Sequence, residues 1–98
     1  MNLYVMQDRV SGSFGNLFEA VNDESVIRDF KNLICNPNIP DYVVYDTVVL
    51  HLGSFNQDMK NPAIVPAVIP TVVFRGDELE FRKIREKIVS ENSPDPVQ

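Results

Sequence analysis

The chain has 98 residues, of which 44% are hydrophobic and 23% are charged, and its formal net charge at neutral pH is −5. This length and composition predict one globular domain with a single modest core, and the single cysteine, Cys35, excludes an internal disulfide. Because an acidic chain repels phosphate groups at long range, nucleic-acid binding requires a local basic patch.

The N-terminal residues predict an antiparallel β-hairpin. Two strand-like runs, residues 3–10 and 14–21, are separated by the turn sequence Ser-Gly-Ser at positions 11–13. Gly12 and Gly15 have the G-x-x-G spacing of some phosphate-binding loops, but such loops connect two helices or precede a helix N-terminus. Since two strands flank this loop, the sequence predicts a hairpin turn and no phosphate site.

Residues 23–35 predict an amphipathic helix. Asn22 or Asp23 can cap its N-terminus, and the Asn36-Pro37 pair ends it, because the residue before a proline is pushed out of the helical region. The apolar residues recur at helical spacing and form one stripe, which we expect to be buried: Val26, Ile27, Phe30, Leu33 and Ile34.

A third strand and a proline-rich segment follow. Residues 42–55 are rich in Val, Tyr and Thr and predict a strand. Residues 62–74 repeat a proline at every fourth position, and each proline removes a backbone donor from a sheet. This segment therefore predicts an extended arm that becomes an edge strand only at Thr71–Arg75.

Residues 78–91 predict a second amphipathic helix, with an apolar stripe of Phe81, Ile84 and Ile88. Together the elements predict a single α+β domain over residues 1–91, in the order ββαββα. We expect a small antiparallel sheet with the two amphipathic helices packed on one face. Residues 92–98 are polar and predict a mobile C-terminal tail.

The sequence contains no pattern typical of an enzyme or a metal site. His51 and Cys35 are the only histidine and cysteine, which is too few for the usual zinc ligand sets. No nucleophile has a recognisable base-bearing motif around it. We therefore expect a protein that is not an enzyme and that binds no metal or cofactor.

The sequence also predicts no membrane association. The longest uncharged stretch, residues 61–74, is interrupted by prolines and is too short to cross a bilayer. The N-terminus has no basic leader and carries Asp8 among its first residues, so we expect no secretory signal.

A basic cluster in the second predicted helix is the candidate nucleic-acid site. The sequence FRKIREKI at residues 81–88 contains four basic residues and one acidic residue, and the aromatic Phe14 could stack on a base. The alternative is an ordinary solvated surface, in which Glu78–Arg82 and Lys87–Glu91 form helical pairs. The candidate nucleic-acid-binding residues are Arg82, Lys83, Arg85, Lys87 and Phe14.

The proline-spaced segment is the candidate association surface. It is apolar and has too little charge to face solvent comfortably on so small a domain. We expect it to pack against a second copy, so that the protein is a homo-oligomer, or against another protein. The candidate interface residues are Ile64, Val65, Val68, Ile69, Val72 and Phe74.

Several features of the first 56 residues occur in a defined order. They are a strand ending in a charged turn at residues 4–13, the aromatic run NLFEAV, the sequence NDESVIRDF, the Asn36-Pro37 break, the Asp41-Tyr42 pair and the closing LGSFN. In this order they resemble the small nonstructural protein of gokushovirus-type microviruses, which are tailless phages with single-stranded DNA genomes. The sequence departs from that pattern at Leu17 and Val26, where the family commonly has proline and alanine.

The resemblance implies a phage protein located in the host cytoplasm. The family protein is regarded as a counterpart of a small packaging-and-replication factor, and a DNA-binding role is proposed for it. We therefore predict a single-stranded DNA binder that acts in genome replication or packaging. The alternative, which the acidic net charge favours, is an adaptor that binds a phage or host protein through the proline-spaced segment, or an oligomeric scaffold, that does not contact nucleic acid.

Overall fold

A computed structural model of the protein describes residues 1–92. It contains one four-stranded antiparallel sheet, with the strands in the spatial order β2-β1-β3-β4, and three helices. In chain order the elements are β1 (Asn2–Asp8), β2 (Phe14–Ala20), α1 (Asp23–Cys35), α2 (Asp41–Asp46), β3 (Thr47–Asn56), β4 (Ala63–Arg75) and α3 (Leu79–Asn92). The α+β prediction with an antiparallel sheet is confirmed. The predicted tail lies outside the described residues, apart from Asn92.

The predicted N-terminal helix forms as α1, with a complete capping box. The Asn22 side chain accepts a 2.8 Å hydrogen bond from the Ser25 N–H, and the Asn22 N–H donates to the Ser25 hydroxyl. Asp23 and Glu24 place negative charge in the first turn, where the helix dipole favours it. Local sequence therefore fixes where this helix begins.

The prediction of a strand beginning at Tyr42 is wrong, because Asp41–Asp46 is the helix α2. The Pro40 carbonyl accepts hydrogen bonds from the N–H groups of Val43 and Val44. Val44 is fully buried in the core, so tertiary packing overrides the β propensity of these valines. The strand starts only at Thr47, whose hydroxyl donates to the Val43 carbonyl at 2.6 Å.

All three helices contribute to one core, against one face of the sheet. The buried cluster unites sheet residues with one or two residues of each helix: Tyr4, Val49 and Phe74 with Val26, Ile34, Val44 and Phe81. Of the predicted α1 stripe, the other members pack partly buried against this cluster: Ile27, Phe30 and Leu33. The expectation that the predicted helices share one face of the sheet is therefore confirmed.

The opposite face of the sheet, called the outer face below, carries an apolar row across all four strands. The pairings of Val5 with Leu17, of Val5 with Leu50 and of Leu50 with Val72 place these four residues side by side. Val5 is buried within the row, whereas Leu17 and Val72 at its two ends are exposed.

The strand β4 forms a free edge of the sheet and is longer than the sequence predicts. It spans Ala63–Arg75, whereas the prediction limited the strand to Thr71–Arg75. An edge strand needs backbone donors on one side only, so Pro66 and Pro70 are tolerated within it. The prediction of an edge position is confirmed, and only the extent of the strand is corrected.

The backbones of β3 and β4 approach each other closely beside a bulge. A Cβ atom at Gly53 would lie 2.2 Å from the Val65 carbonyl oxygen, so glycine is required there. The register shifts between His51 and Gly53 and leaves residues 67–70 opposite Leu52. This bulge carries the fully exposed side chain of Val68.

The molecule is elongated, with principal extents of 65 × 24 × 20 Å. Its radius of gyration is 16.4 Å, compared with roughly 13 Å for a compact domain of this length. The turn between β3 and β4, residues 57–62, projects past the N-terminus of β1, since the last β1–β3 pair is Asn2 with Ser54. The fold therefore exposes much more surface than a compact domain does.

Candidate protein- and nucleic-acid-binding surfaces

Arg85, a predicted nucleic-acid contact, is a buried structural residue. Its side chain is 1% exposed, and its Nε donates to Asp41 Oδ1 at 2.9 Å. The two terminal nitrogens donate to three backbone carbonyls at the end of α1 and in the loop after it, those of Ile34, Asn36 and Ile39. The structure thus removes Arg85 from the candidate set, because a guanidinium with these partners cannot reach a phosphate.

The other three basic residues of the cluster, Arg82, Lys83 and Lys87, are exposed on α3. The Arg82 guanidinium lies 4.8 Å from the centroid of the Tyr45 ring, in a cation–π arrangement. The exposed charged residues of α3 also include three glutamates, Glu80, Glu86 and Glu91. With Arg85 buried, the solvent-facing charges of this helix are balanced, so the basic surplus seen in the sequence is absent from the surface.

Phe14 is exposed and lines a cleft between the β1–β2 hairpin and α2. The cleft has a volume of about 290 Å³, and Tyr42 of α2 stands on its other side. Phe14 is 64% exposed and Tyr42 is 69% exposed. The carboxylates of Asp8 and Asp46 also line the cleft, so a bound nucleotide phosphate would meet negative charge there.

Asp8 stays ionised in this cleft for a local reason. Its Oδ1 accepts hydrogen bonds from the N–H groups of Val10 and Ser11, at 2.9 and 3.4 Å. These bonds hold the pKa of the Asp8 carboxyl below its usual value. Asp46 instead forms an ion pair with Arg9 at 3.1 Å. Asp8 forms no direct ion pair within residues 1–92, although the charge of the neighbouring Arg9 also lowers its pKa.

The predicted association surface is mostly exposed. Five of its six residues are exposed, from 52% at Val72 to 101% at Val68. We call these five the β4 surface: Ile64, Val65, Val68, Ile69 and Val72. The sixth, Phe74, is 1% exposed and lies between the rings of Phe30 and Phe81. The structure therefore moves Phe74 from the interface set to the core.

A polar cluster joins the start of α1 to the sheet. The Tyr4 hydroxyl donates to Asp23 Oδ1 at 2.7 Å, and burial, followed by this hydrogen bond, raises the pKa of Tyr4. His51 packs beside Tyr4 with 5.3 Å between ring centroids, and its Nε2 is buried without a hydrogen-bond partner among residues 1–92. Cys35 is exposed at the end of α1.

Among the described residues, no group of three His, Cys, Asp or Glu side chains is arranged to hold a metal ion. In the same part of the chain, none of the helices combines the length and the apolar character needed to cross a membrane.

Two features of these surfaces escaped the sequence analysis. Arg85 lies four residues after Phe81 and three before Ile88, so helical spacing already places it on the buried stripe. That signal was available and pointed to a buried role. The predicted strand includes Tyr42, and no local signal in the sequence indicates that Tyr42 and Phe14 line the same cleft.

A protein family described as Phage ORF5 protein matches residues 1–79 of the chain. The match covers both strands of the hairpin, α1, α2, β3 and β4, and it ends at the first residue of α3. No curated protein and no solved structure gives a significant match.

Proposed function

The chain belongs to the family of phage ORF5 proteins, and from that premise we propose that it is a non-enzymatic phage protein that acts as an oligomeric scaffold. One observation carries this proposal. Copies would associate through the β4 surface, five exposed aliphatic side chains on a strand without a charged residue between Lys60 and Arg75. Exposed apolar side chains concentrated on one edge strand of a small domain are typical of an interaction site.

The absence of charge favours a second copy as the partner. The chain carries a net charge of −5, so two copies repel each other at most orientations. If two copies meet through their uncharged β4 strands, the charged faces of their helices stay apart. The apolar side chains of one copy then pack against those of the other. A two-fold interface requires the same patch on both copies, and the β4 surface meets that condition.

We expect the partner to pack by its side chains, because Pro66 disfavours extension of the sheet by an added strand. Phe55 of β3 donates its N–H to the Met1 carbonyl, on the β1 side, so it does not hydrogen-bond with its β4 partner, Ile64. Hydrogen-bonding direction repeats every second residue, so the Gly53–Pro66 pair is not hydrogen-bonded either. The Pro66 nitrogen therefore faces the free edge, where it offers no donor to an added strand.

The energetics favour a weak association. Burying one Val or Ile side chain contributes about 1.5 kcal/mol, and adjacent residues such as Ile64 and Val65 point to opposite sides of β4. A two-fold contact that buries about three side chains of each copy therefore contributes roughly 9 kcal/mol. Association costs about 4 kcal/mol or more. A stable complex therefore needs further apolar area, and the outer-face row from Val72 to Leu17 adjoins the β4 surface.

Sedimentation velocity across a concentration series tests the scaffold. Val68→Asp in the β4 surface should abolish concentration-dependent association that persists at high salt. Val21→Asp is the matched control, because Val21 is also exposed but lies between β2 and α1. A wild-type protein that stays monomeric throughout the series would exclude the proposal.

Single-stranded DNA binding in genome replication or packaging is the second candidate function. We propose it because of the resemblance to nonstructural proteins of gokushovirus-type microviruses, with the host cytoplasm as the site of action. The favouring observation is the exposed set Arg82, Lys83 and Lys87, of which Arg82 is held over the Tyr45 ring. This candidate is second because the three exposed glutamates of α3 balance the charge of these three cations. Oligonucleotide binding measured across a salt series tests it.

A further inference from the structure

The two ends of β3 carry features that complement each other. At its N-terminal end, Thr47 lines the cleft between Phe14 and Tyr42, called the aromatic cleft below. Beyond its C-terminal end, Asn56, the chain enters the β3–β4 turn of residues 57–62, called the tip below. The aromatic cleft is concave and the tip is convex.

The tip presents an apolar residue and a cation side by side. Met59 is 98% exposed, and Lys60 next to it is also exposed. Two successive turns hold the backbone here, because the N–H of Asp58 donates to the Asn56 side chain and the N–H of Lys60 to the Asp58 side chain, at 3.0 and 2.9 Å. The two side chains are therefore displayed on an ordered turn.

The aromatic cleft offers matching partners for both side chains. Phe14 and Tyr42 provide ring surface, and thioether sulfur makes favourable contacts with aromatic rings. Neither the Asp8 carboxylate nor the Lys60 ammonium forms a direct ion pair within residues 1–92. The charges of the two features are thus complementary, and each is free to form a direct ion pair with the other.

The tip of a molecule cannot reach its own aromatic cleft. The ten residues of β3 separate the two, which corresponds to roughly 30 Å of extended strand. Contact between them therefore requires two molecules. Because the contacting surfaces differ, this contact is heterologous, and repeating it gives a ring or an open filament.

We propose that the tip of one copy docks in the aromatic cleft of the next, so that copies associate head to tail. Met59 lies between Phe14 and Tyr42 of the neighbouring copy, and Lys60 pairs with its Asp8. This contact is separate from the β4 surface. It goes beyond the proposed scaffold, because it assigns a direction to the assembly and a role to the aromatic cleft.

A complementation experiment tests this contact. Phe14→Asp removes the cleft wall and Met59→Asp removes the apolar tip, each in a Val68→Asp background that places a charge in the β4 surface. Neither variant alone should associate in sedimentation velocity. An equimolar mixture should give a species of two chains and no larger one, because only one intact cleft and one intact tip can meet.

Three outcomes would overturn the proposal. They are a Val68→Asp protein that stays monomeric up to high micromolar concentration, a single variant that associates as its parent does, or a mixture that remains at the mass of one chain. Failure of the scaffold proposal leaves this result unaffected, because every arm carries the Val68→Asp substitution in the β4 surface.

Charge variants provide a second test if Phe14→Asp or Met59→Asp does not fold. Asp8→Asn keeps the Oδ1 that accepts from Val10 and Ser11, and Lys60→Gln keeps the length of the tip side chain. Each should weaken association several-fold and reduce its salt dependence. Lys31→Gln, on the exposed face of α1, is the matched control and should have no effect. Unchanged association in both charge variants would overturn the proposed docking.

Discussion

Arg85 on α3 and Asp41 on α2 form an ion pair whose two members lie in different environments. The Nε–Oδ1 distance is 2.9 Å, and the arginine side chain is 1% exposed whereas that of the aspartate is 55% exposed. The guanidinium also donates to the carbonyls of Ile34, Asn36 and Ile39. Arg85 therefore holds the end of α1, the loop after it and α2 against α3.

We expect Arg85→Met to destabilise the protein by about 2 to 4 kcal/mol, because three backbone carbonyls lose a donor. The ion pair itself contributes little, since water screens the exposed Asp41. Chemical denaturation measures the free energy of unfolding. Arg82→Met is the matched control and should cost less than about 1 kcal/mol, the value of an exposed cation–π contact. Equal losses in the two variants would contradict a structural role for Arg85.

The α3 cations allow a direct test of the nucleic-acid candidate. If Arg82 and Lys83 contact phosphates, the logarithm of oligonucleotide affinity should fall with the logarithm of salt concentration, by about 0.7 per contact. The double variant Arg82→Glu, Lys83→Glu should weaken binding and flatten that slope by roughly 1.4. Arg28→Glu reverses an exposed charge on α1 and serves as the control. Absence of binding at low salt would reject the nucleic-acid candidate and leave the scaffold.

The sequence predicts the elements of this fold better than it predicts the surfaces. The α1 boundaries follow from the Asn22 cap and the Asn36-Pro37 break, which act within a few residues. The strand-to-helix error at Asp41–Asp46 arises because Val44 is buried by distant partners that local propensity does not report. The charge surplus of α3 was misleading for the same reason, since the Arg85 partners lie 44 or more residues away.

Tyr4 makes the stability sensitive to alkaline pH. Its pKa is raised above the unfolded value of 10.0, so its contribution is fully present below about pH 10 and is lost as the pH rises further. Tyr4→Phe removes the hydroxyl that donates to Asp23 and should cost about 1.5 kcal/mol near neutral pH. The difference in unfolding free energy between wild type and Tyr4→Phe should shrink above about pH 10.

Tyr42→Phe is the matched control for that measurement, because Tyr42 is exposed on α2. It should leave the unfolding free energy within about 0.5 kcal/mol of wild type at all pH values. A Tyr4→Phe deficit that stays constant or grows with pH would show that the Tyr4–Asp23 bond is not the source of the effect.

Gly76 sits where the chain leaves β4 and passes the backbone of α2. A Cβ atom there would lie 1.7 Å from the Val44 carbonyl oxygen, so Gly76→Ala should force the backbones apart and cost about 3 kcal/mol. At Gly15 the nearest atom to a Cβ is the Met6 Cβ at 3.5 Å, which is an ordinary contact. Thermal unfolding should therefore show a large drop in melting temperature for Gly76→Ala and little change for Gly15→Ala.

The position of β1 imposes an order on folding. It precedes the other three strands of the sheet in the chain, yet it lies inside the sheet and pairs Asn2 with Ser54, which follows α1 and α2. Closing so long a loop is slow compared with forming the local β1–β2 and β3–β4 hairpins. A nascent chain that has emerged only as far as α1 therefore exposes the inner edge of β1, and the sheet is completed when the second hairpin arrives.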